Sequence, residues 1–183
     1  MGKKNQNWSE DFQIPGLSFI SRYFVAHGFT VLLLFLSVIP FYWGELSQIK
    51  PLFIVMVIYF WTVYRPSLLP PVFVFLLGVL MDLMMAWPLG ISAFVYTGIQ
   101  WLVRTQRRFL MGQSFFVFWG GFMLVALLAG IAHWGLFCLL NLTFINILPV
   151  FFNIGVSIFL FPFILLPLFL IHKLLNLGQI AEA

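Results

Sequence analysis

Between Phe109 and His172 the chain contains no Asp, Glu, Lys or Arg. A soluble domain carries charged residues at roughly 25% of its positions, whereas this chain is 8% charged and 63% hydrophobic. About 20 apolar residues in a helix cross a hydrocarbon layer of about 30 Å. The uncharged stretch is long enough for two such helices and a turn, so the sequence predicts an all-α integral membrane protein.

Six membrane-spanning helices are predicted from the positions of charged residues and turn formers. The predicted spans are residues 23–44, about 47–64, 67–86, 88–103, 115–140 and 150–171. The second must begin before Pro51, because residues 51–64 would give only about 21 Å of helix, and the Lys50 side chain is expected to reach outward to the interface. Pro88 is placed at the first position of the fourth helix, which tolerates its missing N–H. Pro162 and Pro167 are expected to kink the sixth helix.

These spans form a single membrane domain of residues 23–172. Residues 1–22 are predicted to be a cytoplasmic or interfacial tail, and residues 173–183 a short cytoplasmic tail. Of nine Lys and Arg residues, only Lys50 falls on the side opposite the termini. The other eight are Lys3, Lys4, Arg22, Arg65, Arg104, Arg107, Arg108 and Lys173. Such an excess marks the cytoplasmic side, so both termini are predicted to be cytoplasmic.

Asp82 is the only acidic residue inside a predicted span. It lies about four residues before the outer end of the third span, so its charge costs somewhat less than the roughly 2.5 to 3.5 kcal/mol of a span centre. An ionisable residue inside a span still indicates a function or a structural need. Gly78 lies one turn earlier and would admit a neighbouring helix close enough to bond the carboxylate. The expected donors are N–H groups of residues 89–92 or the hydroxyls of Ser92 and Tyr96. Asp82 then either ties the third and fourth helices together or faces a cavity as a proton or ligand site.

The fifth span contains a pair of small residues, Ala126 and Gly130, next to His133 and Trp134. Small residues four apart are typical of helix contact surfaces, so Ala126, Gly130 and Trp134 are candidates for contact with a partner helix. His133 is expected to hydrogen-bond a neighbouring helix. One histidine and one distant carboxylate are too few ligands for a metal site.

Arg104, Arg107 and Arg108 end the fourth predicted span. We interpret these arginines, and Arg65, first as cations that fix the orientation of the chain in the membrane. They are also compatible with binding anionic headgroups, at about 1 kcal/mol each, or an acidic cytosolic partner.

Enzymatic and nucleic-acid functions are not favoured by the sequence. Only one carboxylate lies in a span, so paired-carboxylate catalysis is excluded, and no nucleophilic triad, glycine-rich phosphate loop or HExxH motif is present. The basic residues form no groove with interleaved stacking residues on a polar surface. We therefore predict no enzymatic activity, no cofactor, no metal and no nucleic-acid partner.

The stretch from Arg65 to Gly90 resembles the MreD family of bacterial rod shape-determining membrane proteins. The matching residues are Pro51, Tyr59, Arg65, Pro66, the segment from Gly78 to Asp82, and Pro88, Leu89 and Gly90. Ala86 stands where the family often has glycine. Chain length, six spans and the basic turn after the fourth span agree with this resemblance.

The resemblance implies a non-catalytic scaffold or regulatory subunit of the cell-wall elongation complex in the bacterial inner membrane. The implied direct partner is MreC, and MreB, RodA and its transpeptidase partner are the implied members of the same complex. The implied fold is similar to the substrate-binding subunits of energy-coupling-factor transporters.

An alternative function is a pocket within the membrane for a small molecule or lipid. Its predicted polar lining is Asp82, Tyr96, His133 and Asn153, in an otherwise apolar cavity.

Overall fold

The computed structural model of the protein describes residues 15–38 and 50–180, and the side chains of residues 27–38 and 50–173. Every regular element in these ranges is an α-helix. The helices are α1 (Pro15–Val38), α2 (Phe53–Tyr64), α3 (Pro71–Met85), α4 (Ile91–Leu110), α5 (Phe115–Asn141) and α6 (Leu148–Ile180). The prediction of an all-helical fold is confirmed for these ranges.

Helix α2 is the centre of the bundle. All of its residues from Phe53 to Val63 are buried, and it packs against α1, α4, α5 and α6. A helix that is apolar on every face is stable when neighbours cover every face. The other helices therefore take their positions around α2.

An aromatic cluster joins α2 to α5 and α6. The Phe122 and Phe161 rings stack with centroids 3.9 Å apart, and the Tyr59 ring lies 5.7 Å from Phe122. The Tyr59 hydroxyl donates to the Phe118 carbonyl oxygen over 2.8 Å. This bond satisfies the one polar group that the cluster buries on α2, as a buried tyrosine requires.

Among the described residues, two helices are long and apolar enough to cross a membrane by themselves. They are α5 and the Leu148–Lys173 part of α6. Helices α2 and α3 and the His27–Val38 part of α1 are apolar but shorter. At about 1.5 Å per residue, α2 is only about 18 Å long.

The predicted start of the second span, near Ser47, is wrong, because α2 begins at Phe53. Residues 50–52 are not helical, and two of them are bonded to α6. The Lys50 N–H donates to Asn153 Oδ1 over 2.9 Å, and the Leu52 N–H donates to Ser157 Oγ over 2.8 Å. A helix running through residues 50–52 would direct these N–H groups to its own carbonyls instead.

Other predicted boundaries also need correction. Helix α1 begins at Pro15, within the predicted tail, and α3 begins at Pro71, where proline is suited to a first turn. Helix α4 runs past its arginines to Leu110, and α6 continues to Ile180 with both of its prolines inside one helix. The break predicted at residues 141–149 is confirmed, because α5 ends at Asn141 and α6 begins at Leu148. The remainder of the N-terminal tail, the end of the first span and residues 181–183 lie outside the described residues.

All the described cations except Lys50 lie toward one end of the bundle. Arg107 Nε donates to the Val63 carbonyl oxygen over 2.7 Å, which brings together the ends of α4 and α2. The Tyr64 and His172 rings, 5.4 Å apart, bring Lys173 on α6 to the same end. Lys50 lies at the opposite end, beside the start of α2.

The prediction that Ala126 and Gly130 face a partner helix is wrong. Ala126 is fully buried, and a Cβ on Gly130 would lie 2.6 Å from Ile154 Cδ1 and 3.2 Å from Val150 Cγ1. The pair of small residues therefore admits α6 of the same chain. Trp134, the third member of the predicted surface, is half-buried and donates through Nε1 to the Ile145 carbonyl oxygen over 3.0 Å.

Candidate functional site

Asp82 is fully buried in the last turns of α3 and accepts hydrogen bonds from the start of α4. The Gly90 N–H donates to Oδ2 over 2.8 Å. The Ser92 N–H donates to Oδ1 over 3.0 Å and to Oδ2 over 3.2 Å. Both donors fall within the range 89–92 expected from the sequence. The carboxylate occupies the N-terminal end of a helix, where free N–H groups and the helix dipole stabilise negative charge.

The turn between α3 and α4 is built from two left-handed residues. Ala86 has φ 53° and ψ 36°, and its N–H bonds back to the carbonyls of Asp82 and Leu83. Gly90 has φ 105°, and α4 begins directly after it at Ile91. The prediction that Pro88 is the first residue of the helix is therefore wrong. The chain must pass through the left-handed Gly90 to direct its N–H at Asp82, and only then can the helix begin.

Gly78 is the point at which α3 and α4 touch through their backbones. A Cβ at this position would lie 2.3 Å from Ala93 Cα and 2.5 Å from Ala93 N. Real Cβ atoms do not approach a backbone so closely, so only glycine fits. This contact holds the first turn of α4 within reach of the Asp82 carboxylate one turn along α3.

Replacing Ala86 with glycine is expected to stabilise the protein. Alanine in the left-handed region costs about 1 kcal/mol relative to glycine, and Ala86 is exposed, so the change removes no packing. The Ala86→Gly variant should unfold about 2 to 4 °C higher than the parent, since about 1 kcal/mol corresponds to that shift at this chain length. Thermal unfolding of the purified protein in detergent measures it. An equal or lower midpoint would contradict a left-handed Ala86.

Ser92 and His133 extend the Asp82 contact to α5. His133 Nδ1 lies 3.0 Å from the Ala129 carbonyl oxygen, and Nε2 lies 3.2 Å from Ser92 Oγ. A carbonyl oxygen only accepts, so Nδ1 donates, and in the neutral ring Nε2 accepts from the Ser92 hydroxyl. The Tyr96 ring packs edge-on against His133 at 5.4 Å. Asp82, Ser92 and His133 thus link three helices at one end of the bundle.

A cavity of about 700 Å³ lies next to this link, at the end of the bundle that carries Lys50. Residues of all six helices or their connections line it. Its aromatic and polar lining consists of Ser37, Lys50, Trp87, Tyr96, His133, Trp134, Phe137 and Asn153. Its size is within the range of about 300 to 1,000 Å³ that is usual for small-molecule sites.

Three of the four predicted pocket residues line this cavity, namely Tyr96, His133 and Asn153. Asp82 does not, because it is buried with Ser92 between it and His133. The structure therefore favours the tie between α3 and α4 over a cavity-facing carboxylate.

Lys50 also differs from expectation, because it lines the cavity. Its Nζ lies 3.4 Å from Met85 Sδ on α3, so the side chain does not extend outward to the interface. No sequence pattern indicated the wall residues Trp87 and Met85, since α3 and the turn after it meet Lys50 only through the tertiary fold. The one available hint was that Lys50 is the only cation predicted on its side of the membrane.

The remaining predicted residues lie outside the cavity. Arg65 ends α2, with its N–H bonded to the Trp61 carbonyl oxygen over 2.7 Å, and Pro66 follows in the turn. Leu89 is exposed at the α3–α4 turn. Arg104 and Arg108 are exposed, whereas Arg107 is half-buried through its bond to Val63. The three arginines therefore divide into one structural contact and two side chains open to an external partner.

Among the described residues, no three His, Cys, Asp or Glu side chains are grouped closely enough to hold a metal ion. Asp82 is the only carboxylate side chain in the described part of the chain. The geometry at the site therefore consists of hydrogen bonds that position helices and a cavity beside them.

The family model for the rod shape-determining protein MreD matches residues 17–173, which is most of the chain. The chain belongs to the MreD family. The match includes the Asp82 contact, the α3–α4 turn and every residue that lines the cavity. No curated protein and no solved structure matches the chain. Membership of the MreD family connects this chain with the determination of rod shape, in a family that is not known for enzymes.

Proposed function

We propose that this protein is a non-catalytic scaffold or regulatory subunit of the cell-wall elongation complex in the bacterial inner membrane. The family match over residues 17–173 carries the proposal. In the proposed complex the protein docks MreC directly, and MreB, RodA and its transpeptidase partner are further members.

The proposed topology has six spans with both termini in the cytoplasm. The segregation of charge supports it, because the end of the bundle with Arg65, Arg107 and Lys173 matches the cation-rich side expected in the cytoplasm. Shorter helices such as α2 are consistent with this topology, because their neighbours cover them. The similarity to substrate-binding subunits of energy-coupling-factor transporters remains a prediction.

The surface proposed for docking MreC is an exposed seam on α6. Its members recur every three or four residues and are Phe152, Gly155, Phe159, Phe163, Leu166 and Leu170. Such spacing places side chains on one stripe of a helix, as in helix-pairing seams. Gly155 has no atom within 4 Å of its Cβ position and lies in an apolar groove of about 480 Å³. A small residue in a groove allows close approach of a second transmembrane helix, and MreC, as a single-span protein, would supply one.

Replacing Gly155 with isoleucine is expected to reduce docking of MreC about tenfold or more. The added side chain fills the groove, and about 1.4 kcal/mol of lost packing corresponds to a tenfold loss. The measurement is co-purification of MreC from the same organism with this protein after co-expression in membranes.

Gly120→Ile is the matched control. Gly120 is also an exposed helical glycine with no atom within 4 Å of its Cβ position, but it lies on α5, away from the seam. It should retain MreC. Equal retention by both variants would reject the α6 seam, whereas no co-purification with the parent protein would reject the scaffold proposal itself.

A second candidate function is the binding of a small molecule or lipid within the membrane. The cavity of about 700 Å³ favours it, together with Tyr96, His133 and Asn153 in its wall. Scaffolding alone would be equally well served by a filled interior.

A further inference from the structure

The cavity has a charged rim and an apolar floor. Lys50 lies at the rim, with Trp87 and Trp134. One helical turn further into the bundle, the lining residues are Ile54, Met81, Gly130 and Ile154. A pocket with one charged edge and an apolar depth is complementary to a molecule with a charged head and an apolar chain.

The sign of the charge at the rim is positive. The Lys50 ammonium has three N–H donors, and the contact that the structure gives its Nζ is with the Met85 thioether, a weak acceptor. Asp82 is the only carboxylate side chain among the described residues, and it is buried against the N–H groups of Gly90 and Ser92. Within the part of the chain that the structure describes, no carboxylate around the cavity pairs with Lys50, so its ammonium group is suited to an external anion.

Tryptophan side chains suit such a rim. Trp134 donates its Nε1 to the Ile145 carbonyl oxygen, and the Trp87 ring packs against His133 and Phe137 with centroids 5.9 Å from each. Amphipathic rings of this type occupy the boundary between headgroups and chains in membranes. Their positions mark the depth at which a ligand would change from polar to apolar.

From these contacts we infer that the cavity binds an anionic single-chain amphiphile, with its phosphate or carboxylate head at Lys50 and its chain on the apolar floor. The inference rests on the second candidate function and specifies its ligand class. The volume of about 700 Å³ suits one chain better than a complete two-chain lipid.

Binding is tested on the full-length protein purified in a neutral detergent, by quenching of tryptophan fluorescence with bromine-labelled probes. The anionic probes are a brominated fatty acid and a brominated lysophosphatidic acid, which distinguish carboxylate from phosphate heads. A brominated monoacylglycerol of the same chain length is the neutral probe. We expect saturable quenching by at least one anionic probe at a concentration about tenfold lower than for the neutral probe, because a charge-assisted bond accounts for about that factor. Quenching should fall in Trp87→Phe and Trp134→Phe, whereas Trp101→Phe is the control, since Trp101 is 71% exposed on α4.

Lys50→Met should weaken anionic binding about tenfold and leave neutral binding unchanged, because it removes only the charge. Lys50→Arg should retain the preference for anions, and Lys173→Met, at the opposite end of the bundle, should behave as the parent. Equal affinity for anionic and neutral probes, or an unchanged preference for anions in Lys50→Met, would overturn the inference that the ligand is anionic. The cavity would then still be a binding pocket for a single-chain amphiphile. Absence of saturable quenching by all three probes would overturn the pocket as well, without bearing on MreC co-purification.

Discussion

Replacing Gly78 with alanine is expected to destabilise the protein more than any other single methyl addition at a described glycine in α3 or α4. The new Cβ would lie 2.3 Å from Ala93 Cα, 2.5 Å from Ala93 N and 2.8 Å from Ser92 C. These are backbone atoms, which cannot rotate away as a side chain can, so α3 and α4 must separate. Overpacking costs typically about 1 to 3 kcal/mol, and we expect about 3 kcal/mol here. The unfolding midpoint in detergent should fall by about 6 to 12 °C.

Gly98→Ala is the matched control for this prediction. Gly98 lies in α4, is exposed and has no atom within 4 Å of its Cβ position. Alanine there should leave the midpoint unchanged or raise it slightly, because alanine is favoured over glycine in a helix by up to about 1 kcal/mol. If the two variants unfold at the same temperature, the backbone contact at Gly78 does not hold α3 and α4 together.

Replacing Asp82 with alanine is the second change that is expected to destabilise the protein strongly. The change leaves the N–H groups of Gly90 and Ser92 without the acceptor that they have in the parent. A buried unsatisfied donor costs about 1 to 3 kcal/mol, so two donors give about 2 to 6 kcal/mol. Asp82→Asn should lie between, because its amide keeps one accepting oxygen but turns an NH₂ group toward another donor. Thermal unfolding should rank the proteins as parent, then Asn, then Ala.

Thr97→Ala provides the comparison for Asp82. The Thr97 hydroxyl donates to the Ala93 carbonyl within α4, over 2.8 Å. Its loss strips no buried donor of an acceptor, so the change should be within about 0.5 kcal/mol. A midpoint for Asp82→Ala as high as that of Thr97→Ala would show that the carboxylate does not fix the turn.

The local features of the α3–α4 turn could be predicted from the sequence because their partners are close along the chain. Asp82 is bonded to Gly90 and Ser92, and a lone carboxylate in an apolar helix has few donors within reach other than the start of the next helix. The same locality applies to the break before Leu148, where turn formers cluster.

Features that depend on distant partners could not be predicted. Helix α2 starts late because Asn153 and Ser157, far along the chain, bond the residues before it. The small pair Ala126 and Gly130 correctly indicated a helix contact, but such a motif does not specify which helix is the partner, and α6 of the same chain fills the place. The cavity at Lys50 likewise requires the relative positions of all six helices, which no local pattern contains.

The hydrogen bonds that residues 50 and 52 donate to Asn153 and Ser157 also have a consequence for biogenesis. The Asn153 and Ser157 side chains belong to α6, the last helix, yet they accept hydrogen bonds from the residues that immediately precede α2. During synthesis in the proposed topology, the central helix would therefore leave the ribosome long before its final acceptors exist. Until α6 has been synthesised, the N–H groups of residues 50 and 52 lack these acceptors. A polypeptide truncated before α6 should therefore be recognised and degraded by membrane quality-control proteases.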